Sequence, residues 1–152
     1  MVTIRAGAPR DRARIREFLE AANLPTGDLD EAKPQFVLAT TQDADELVGT
    51  GALQLFGRVA LLRSVAVVPR LRRSGLGRGI VAELERLARE ARVKDLVLLT
   101  TTAREFFERV GFGVIDRQSA PAQAQRSAEF RSLCPASAVC MSKELSRAIN
   151  GG

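Results

Sequence analysis

The chain has 152 residues, 45% of them hydrophobic and 27% charged, which suits one globular domain and argues against disorder, collagen and coiled coil. No apolar run approaches the roughly 20 residues that span a bilayer. The opening MVTIRAGAPR lacks the apolar centre of a secretory signal, so a cytoplasmic location and no membrane partner are expected. The net charge of +5 comes mostly from Arg and suits nucleic acid or a phosphorylated small molecule. Seven Phe are the only aromatic residues, too few to favour base stacking, so no nucleic-acid partner is expected. His, Tyr and Trp do not occur. Their absence excludes Ser-His-Asp triads, His-Cys dyads and the usual zinc sites. Acid–base work falls to Asp, Glu, Lys, Cys, a terminus or water. Cys134 and Cys140 are expected as free, structural thiols, with no metal site.

In chain order, the alternation of residues 2–6 predicts a strand. Pro9 can open a helix, whose stripe is Ile15, Phe18, Leu19 and Ala22 and whose end is near Asn23. Residues 24–34 read as an exposed loop or short helix. Strands follow at 35–40 and 47–56, joined by an Asp-rich turn at 42–46. Gly49 and Gly51 inside a strand mark a bulge or a close backbone approach. Gly57 turns the chain into a long apolar strand, 58–68, stopped by Pro69. Its alternation groups Arg63 with Leu61, Val65 and Val67.

A helix then carries Leu76, Ile80, Leu84, Leu87 and Ala91 on one face and charges, Glu85 among them, on the other. Residues 95–100 form a buried strand. Thr102 and Glu105 have capping-box spacing for a helix from Ala103 that ends at Gly111. A strand over 112–116, a short helix near Glu129–Leu133 and a last strand over 138–145 complete the order. The Asn150–Gly152 tail is expected to fray. The sum is a mixed α/β chain, hairpins first and crossovers later.

The informative stretch is the strand, Arg/Gly loop and helix between Leu61 and Ala91. A helix N-terminus presents unpaired N–H groups and partial positive charge. Gly75, Gly77 and Gly79 let a ligand approach them, and Arg70, Arg72, Arg73 and Arg78 add charge, which suits a diphosphate. The spacing fits neither a P-loop nor a dinucleotide fingerprint.

VAVVPRLRRSGLG resembles the core motif of the GCN5-related N-acetyltransferases (GNAT family), with Arg72, Gly75 and Gly77 at its motif positions. LVLLT followed by Ala103, Phe106, Phe107, Gly111 and Phe112 resembles the second motif. The resemblance implies a single acetyltransferase domain over residues 1–152. Its α/β (α+β) fold would have a mixed central sheet of six to seven strands flanked by about four helices. It implies acetyl-CoA as cofactor, bound by Val65, Ala66, Val67, Arg72, Arg73, Ser74, Gly75, Leu76, Gly77, Arg78 and Phe107. The backbone N–H of Val67 would polarise the thioester carbonyl. The chain departs from the family in carrying Arg73 where Gly is frequent. It also carries Phe107 where many members have a Tyr that protonates the leaving thiolate. Either the thiolate leaves without that proton, water supplies it, or another group does, with Thr101, Thr102, Ser64 and Cys134 as candidates.

LCPASAVCM and LLTTTAREFF resemble the small bacterial amino-acid and arsenic-resistance N-acetyltransferases. That implies a glutamate-like acceptor, or an arsenical or phosphinic analogue of one. Arg63, Ser64 and Thr101 are the candidate substrate-binding residues. Arg63 reads either as an internal ion pair or as a clamp on a substrate carboxylate, with Arg117 and Arg131 able to assist. Asp28, Glu46 and Glu129 are the candidate bases, Glu129 favoured by its place in the substrate-side segment. A protein or peptide acceptor and a non-catalytic acetyl-CoA sensor remain as alternatives, and a homodimer is left open.

Overall fold

The computed structural model describes residues 1–145, so the expected fraying of the tail lies outside the described residues. The strands are β1 (Val2–Ala6), β2 (Gln35–Thr41), β3 (Leu47–Phe56), β4 (Val59–Val67), β5 (Asp95–Thr100), β6 (Gly113–Ile115) and β7 (Val139–Glu144). The helices are α1 (Arg12–Ala21), α2 (Leu29–Ala32), α3 (Leu76–Glu90), α4 (Arg104–Arg109) and α5 (Ala122–Gln125), with a π-helical turn at Glu129–Leu133. Among the described residues, seven strands form one mixed sheet in the order β1-β2-β3-β4-β5-β7-β6. β1, β2 and β3 pair antiparallel, β4 and β5 pair in parallel, and β7 runs antiparallel to both β5 and β6. The chain divides into two compact units, Met1–Gln54 with Arg63–Leu84, and Leu55–Leu62 with the chain from Glu85 onward.

In the first unit, Pro9 opens a 3-10 turn, Pro9–Asp11, that feeds α1. Its fixed φ suits a helical start. Asp11 is buried and takes both ends of the Arg5 guanidinium at 3.1 Å. It also accepts from Arg14 and from the Ala8 N–H. Hydrogen bonds from Arg5 outweigh burial and hold its carboxyl far below the usual carboxylate range. Ile15 and Leu19 bury against Leu38, with Phe18, Leu24, Leu29, Phe36 and Leu47 packed around them. The buried side chains of α3 within this unit are Ile80, Val81 and Leu84. Gly49 and Gly51 explain how they come so close to β3. A Cβ on Gly49 would lie 2.8 Å from Ile80 Cδ1, and one on Gly51 would lie 2.6 Å from Ile80 Cγ2.

In the second unit, Val59, Leu61, Val97, Ala120, Ala124, Phe130 and Cys140 form one core cluster. The buried face of α3 continues through Ala88, while Ala91, expected on that face, is exposed. Glu85, expected among the solvated charges, is buried because Lys143 Nζ donates to it at 2.9 Å. The same ammonium donates to the Val110 carbonyl at 2.9 Å, which fastens the end of α4 beside Gly111, whose φ is 102°. The expected capping box at Thr102 does not form. Instead Thr100 Oγ1 accepts from the Ala103 N–H at 3.0 Å, and α4 starts one residue later.

The glycine contact gives a direct test. Gly49→Ala is expected to destabilise the protein by about 1–3 kcal/mol through overpacking against Ile80. In an Ile80→Val background, which lacks Cδ1, that penalty shrinks. A double-mutant cycle of denaturant melts measures the difference.

Candidate active site

The C-terminal part of β4 is half-buried over Val65, Ala66 and Val67, and the Val68 N–H donates to the Val48 carbonyl at 2.9 Å. A 3-10 turn, Pro69–Leu71, ends the strand. Pro69 fixes its own φ and has no N–H to continue the ladder. Two left-handed residues then reverse the backbone, Arg73 with φ 65° and Gly75 with φ 90°. Helix α3 starts at Leu76. Ser74 Oγ donates to the Leu71 carbonyl and accepts from the Leu76 N–H at 3.3 Å. The N–H groups of Arg73, Gly75, Gly77 and Arg78 have no acceptor among the described residues.

Exposed donors around a helix start, with the positive end of the dipole behind them, make an anion cradle. The side chains agree with that chemistry. Arg72, Arg73 and Arg78 are exposed and carry no ion pair among the described residues, whereas Arg70 is taken by Glu46 at 3.0 Å. Open space lies where a Gly75 side chain would project. The residues present therefore fit a diphosphate such as that of CoA. Glu46, one of the candidate bases, is spent in its exposed pair with Arg70.

Upstream of this loop, β4 departs from the expected alternation. Ser64 has φ 59°, and β4 is buried on both faces from Val59 to Ser64. Arg63 is buried, and its guanidinium grips the carboxylate of Asp28 with two hydrogen bonds of 2.7 Å. Gln54 Oε1 accepts from the same guanidinium at 3.0 Å. The carboxylate that Arg63 meets is thus the chain's own. The 24–34 segment is not simply exposed, since Asp28 at its centre is only 6% exposed. Burial works to raise the Asp28 carboxyl, but the hydrogen bonds and charge of Arg63 prevail and hold it below the usual range. Thr50 Oγ1 donates to the Ser64 carbonyl at 2.7 Å, while the buried Ser64 Oγ has no hydrogen-bond partner among the described residues. Thr50 and Gln54 escape a reading of the sequence. A Thr flanked by Gly49 and Gly51 is the one hint of its place.

The other candidates lie in the second unit. Thr101 and Thr102 are exposed just beyond β5. Phe107 is buried, with its ring 5.0 Å from that of Phe106 and 5.7 Å from that of Phe112, both edge-on. Glu129 is buried in the π-helical turn. Arg117 is half-buried and donates to the carbonyls of Pro135 and Phe130 at 2.8 Å each. It therefore ties down the 129–135 segment. Arg131 is exposed. Cys134 and Cys140 are not joined in a disulfide. Burial pushes the Cys140 thiol up, with the Arg117 charge opposing, so Cys140 is a poor nucleophile at neutral pH.

The two buried aspartates set the acid stability. Each has a folded pKa below its unfolded value. Their stabilisation is therefore full above the ordinary carboxylate pKa of about 3.9 and is lost as pH falls through the lower folded values. Melting temperature is expected to fall steeply below about pH 4. Asp28→Asn, which leaves the buried Arg63 without its counter-charge, is expected to cost about 3–5 kcal/mol near neutral pH and to flatten that fall.

Comparison with known proteins places this geometry. Residues 6–112 match the model of the acetyltransferase (GNAT) family. No curated protein sequence gives a match. The fold is similar to N-acetylglutamate synthase from Neisseria gonorrhoeae, complexed with coenzyme A and N-acetyl-glutamate, at TM-score 0.78 and 21% identity over 97% of this chain. This chain spans about a third, 36%, of that one. It is also similar to Rv2747 from Mycobacterium tuberculosis, in complex with CoA and a second ligand, at TM-score 0.78 and 25% identity, covering 95% of this chain and 99% of that one. An acetyltransferase of the GNAT family from Staphylococcus aureus Mu50 matches at TM-score 0.80 and 16% identity, covering 96% of this chain and 100% of that one. With the family pattern matched over most of the chain and the anion cradle formed at its motif, the chain belongs to the acetyltransferase (GNAT) family, whose cofactor is acetyl-CoA.

Proposed function

We propose that the chain acts as one domain that transfers the acetyl group of acetyl-CoA to the amine of a small amino-acid-like substrate. A glutamate-like acceptor, or an arsenical or phosphinic analogue, is the substrate class. The observation that carries the reading is the set of four unpartnered amides at Arg73, Gly75, Gly77 and Arg78. The substrate class is supported by the similar fold solved with coenzyme A and N-acetyl-glutamate and by the LCPASAVCM and LLTTTAREFF strings. A cytoplasmic setting is part of this reading; among the described residues no helix is long and apolar enough to cross a membrane.

In this reading the segment from Arg72 to Arg78 holds the diphosphate through backbone amides and guanidinium groups. Val65, Ala66 and Val67 line the arm of the cofactor, and the Val67 N–H polarises the thioester carbonyl. When bound, acetyl-CoA would supply an activated acyl carbon, the C–N bond to the amine forming as the C–S bond breaks and CoA leaves as its thiolate. Phe107, sealed between Phe106 and Phe112, has no proton to give and serves as apolar packing. Ser64 and Thr101 bind the acceptor, and Glu129 takes its proton. A peptide α-amine has a pKa of about 8, and that of a free amino acid is more basic, so near neutral pH the acceptor amine is mostly protonated and a base that takes its proton is required. Arg63 contributes as a buried, neutralised charge. A substrate carboxylate reaches it only in competition with Asp28.

The test is release of CoA thiol from acetyl-CoA across glutamate, its phosphinic and arsinic analogues, other amino acids, a polyamine and a Lys peptide. The expected result is amine-dependent release, fastest with a glutamate-like acceptor. Cofactor binding without release on any amine would contradict the enzymatic reading, and a preference for the Lys peptide would move the acceptor to protein. Gly75→Glu, which places bulk and negative charge in the cradle, is expected to abolish acetyl-CoA binding in a protein that still folds. Unchanged binding in that variant would put the cofactor elsewhere.

A further inference from the structure

Ser64 is the one place where β4 breaks its own geometry. Its φ of 59° lies in the left-handed region that residues with a Cβ avoid and glycine accepts. Nothing in its own bonding explains the choice of residue, because its buried Oγ has no hydrogen-bond partner among the described residues. The conformation is held from outside. Thr50 Oγ1 donates to the Ser64 carbonyl at 2.7 Å. Arg63, the preceding residue, is fixed by two 2.7 Å hydrogen bonds to Asp28 and one of 3.0 Å to Gln54. All of these residues belong to the first unit. Backbone strain of this kind persists only where neighbours over-determine it, and it concentrates at functional positions. The residues that follow are Val65, Ala66 and Val67, the stretch proposed to meet the thioester arm.

We propose that Thr50 and Asp28 are positioning residues of acetyl transfer: they lock the left-handed turn at Ser64 and so set the course of the backbone through Val65–Val67. The inference rests on the function proposed above. Thr50 acts through the Ser64 carbonyl and Asp28 through Arg63, and neither touches a reacting atom. The sequence around Thr50 fits this part. Gly49 and Gly51 share the strand face that meets α3, and alternation turns Thr50 to the other face. Thr50→Val therefore removes the hydroxyl donor with little change of shape.

The experiment compares Thr50→Val, Thr50→Ser, Ser64→Gly and Asp28→Asn with the wild type, well below their melting temperatures. It reads kcat, the KM for acetyl-CoA, melting temperature, and the ratio of CoA to acetyl-CoA dissociation constants measured without acceptor. Thr50→Val is expected to lower kcat about tenfold or more with KM within about twofold, since small misplacements of the reacting groups weaken catalysis strongly. Its preference for acetyl-CoA over CoA should fall toward one. Thr50→Ser should restore both, and Asp28→Asn should follow Thr50→Val.

Ser64→Gly separates positioning from mere structure. Glycine takes a left-handed φ without strain and leaves the Thr50 and Arg63 contacts in place, so neither the variant's melting temperature nor its preference for acetyl-CoA should drop. The proposal is overturned if Thr50→Val keeps the wild-type kcat and preference, or if Ser64→Gly, with both locks in place, loses the preference. It is also overturned if activity falls only in step with melting temperature, or if the wild type binds CoA and acetyl-CoA alike. A wild type that prefers acetyl-CoA but acetylates no amine would refute the proposed function instead, and the binding ratio would still decide the positioning roles.

Discussion

A helix cannot satisfy its own first N–H groups, and in this chain that shortfall is concentrated in one turn. Between Pro69 and Arg78 the backbone reverses through two left-handed residues and enters α3, leaving four amides without acceptors among the described residues. Other features of the first unit serve this turn. Pro69 stops β4, and the side chain of Ser74 braces the loop. Gly49 and Gly51 admit Ile80 and Leu84 close to β3, which fixes where α3 lies and hence where its positive end sits. Anion recognition of this kind depends on backbone rather than on any one side chain. A chain without His or Tyr can therefore still present it.

The same economy extends to the chemistry. With no His to relay a proton and with Phe107 locked in an aromatic cluster, no strong general acid–base pair stands out among the described residues. What the first unit has in place of one is fixed geometry: Asp11 pins β1 to the start of α1, and Asp28 pins the 24–34 segment to β4 through Arg63. Buried ion pairs add little net stability, but their bidentate geometry fixes direction. Acetyl transfer from a thioester to an amine gains from orientation and from dipoles placed in advance, and fixed geometry supplies both.

Most elements were legible from periodicity and turn chemistry, including every strand in the sheet, the α3 start and the reversals at Gly57 and Gly111. The cradle was legible too, because glycine spacing and Arg clustering are local properties. What escaped was long-range. The partner of Arg63 lies 35 positions away, in a segment whose Pro, Gly and Asp content reads as exposed loop. The left-handed Ser64 carries no glycine to announce it, and the threonine that holds it is on another strand. Glu85 looked solvated because its partner, Lys143, comes from β7. The capping box expected at Thr102 gave way to an Ala103 N-cap without a side-chain bond, Thr100 Oγ1 accepting from the Ala103 N–H instead.

The central claim is that the free amides of the 73–78 turn receive the diphosphate of acetyl-CoA. The most direct measurement is a titration of the 15N-labelled protein with CoA, following each backbone amide by NMR. The account predicts that the amides of Arg73, Gly75, Gly77 and Arg78 shift together, saturably, and among the largest in the spectrum. Saturable CoA binding that leaves those four resonances unmoved would contradict it.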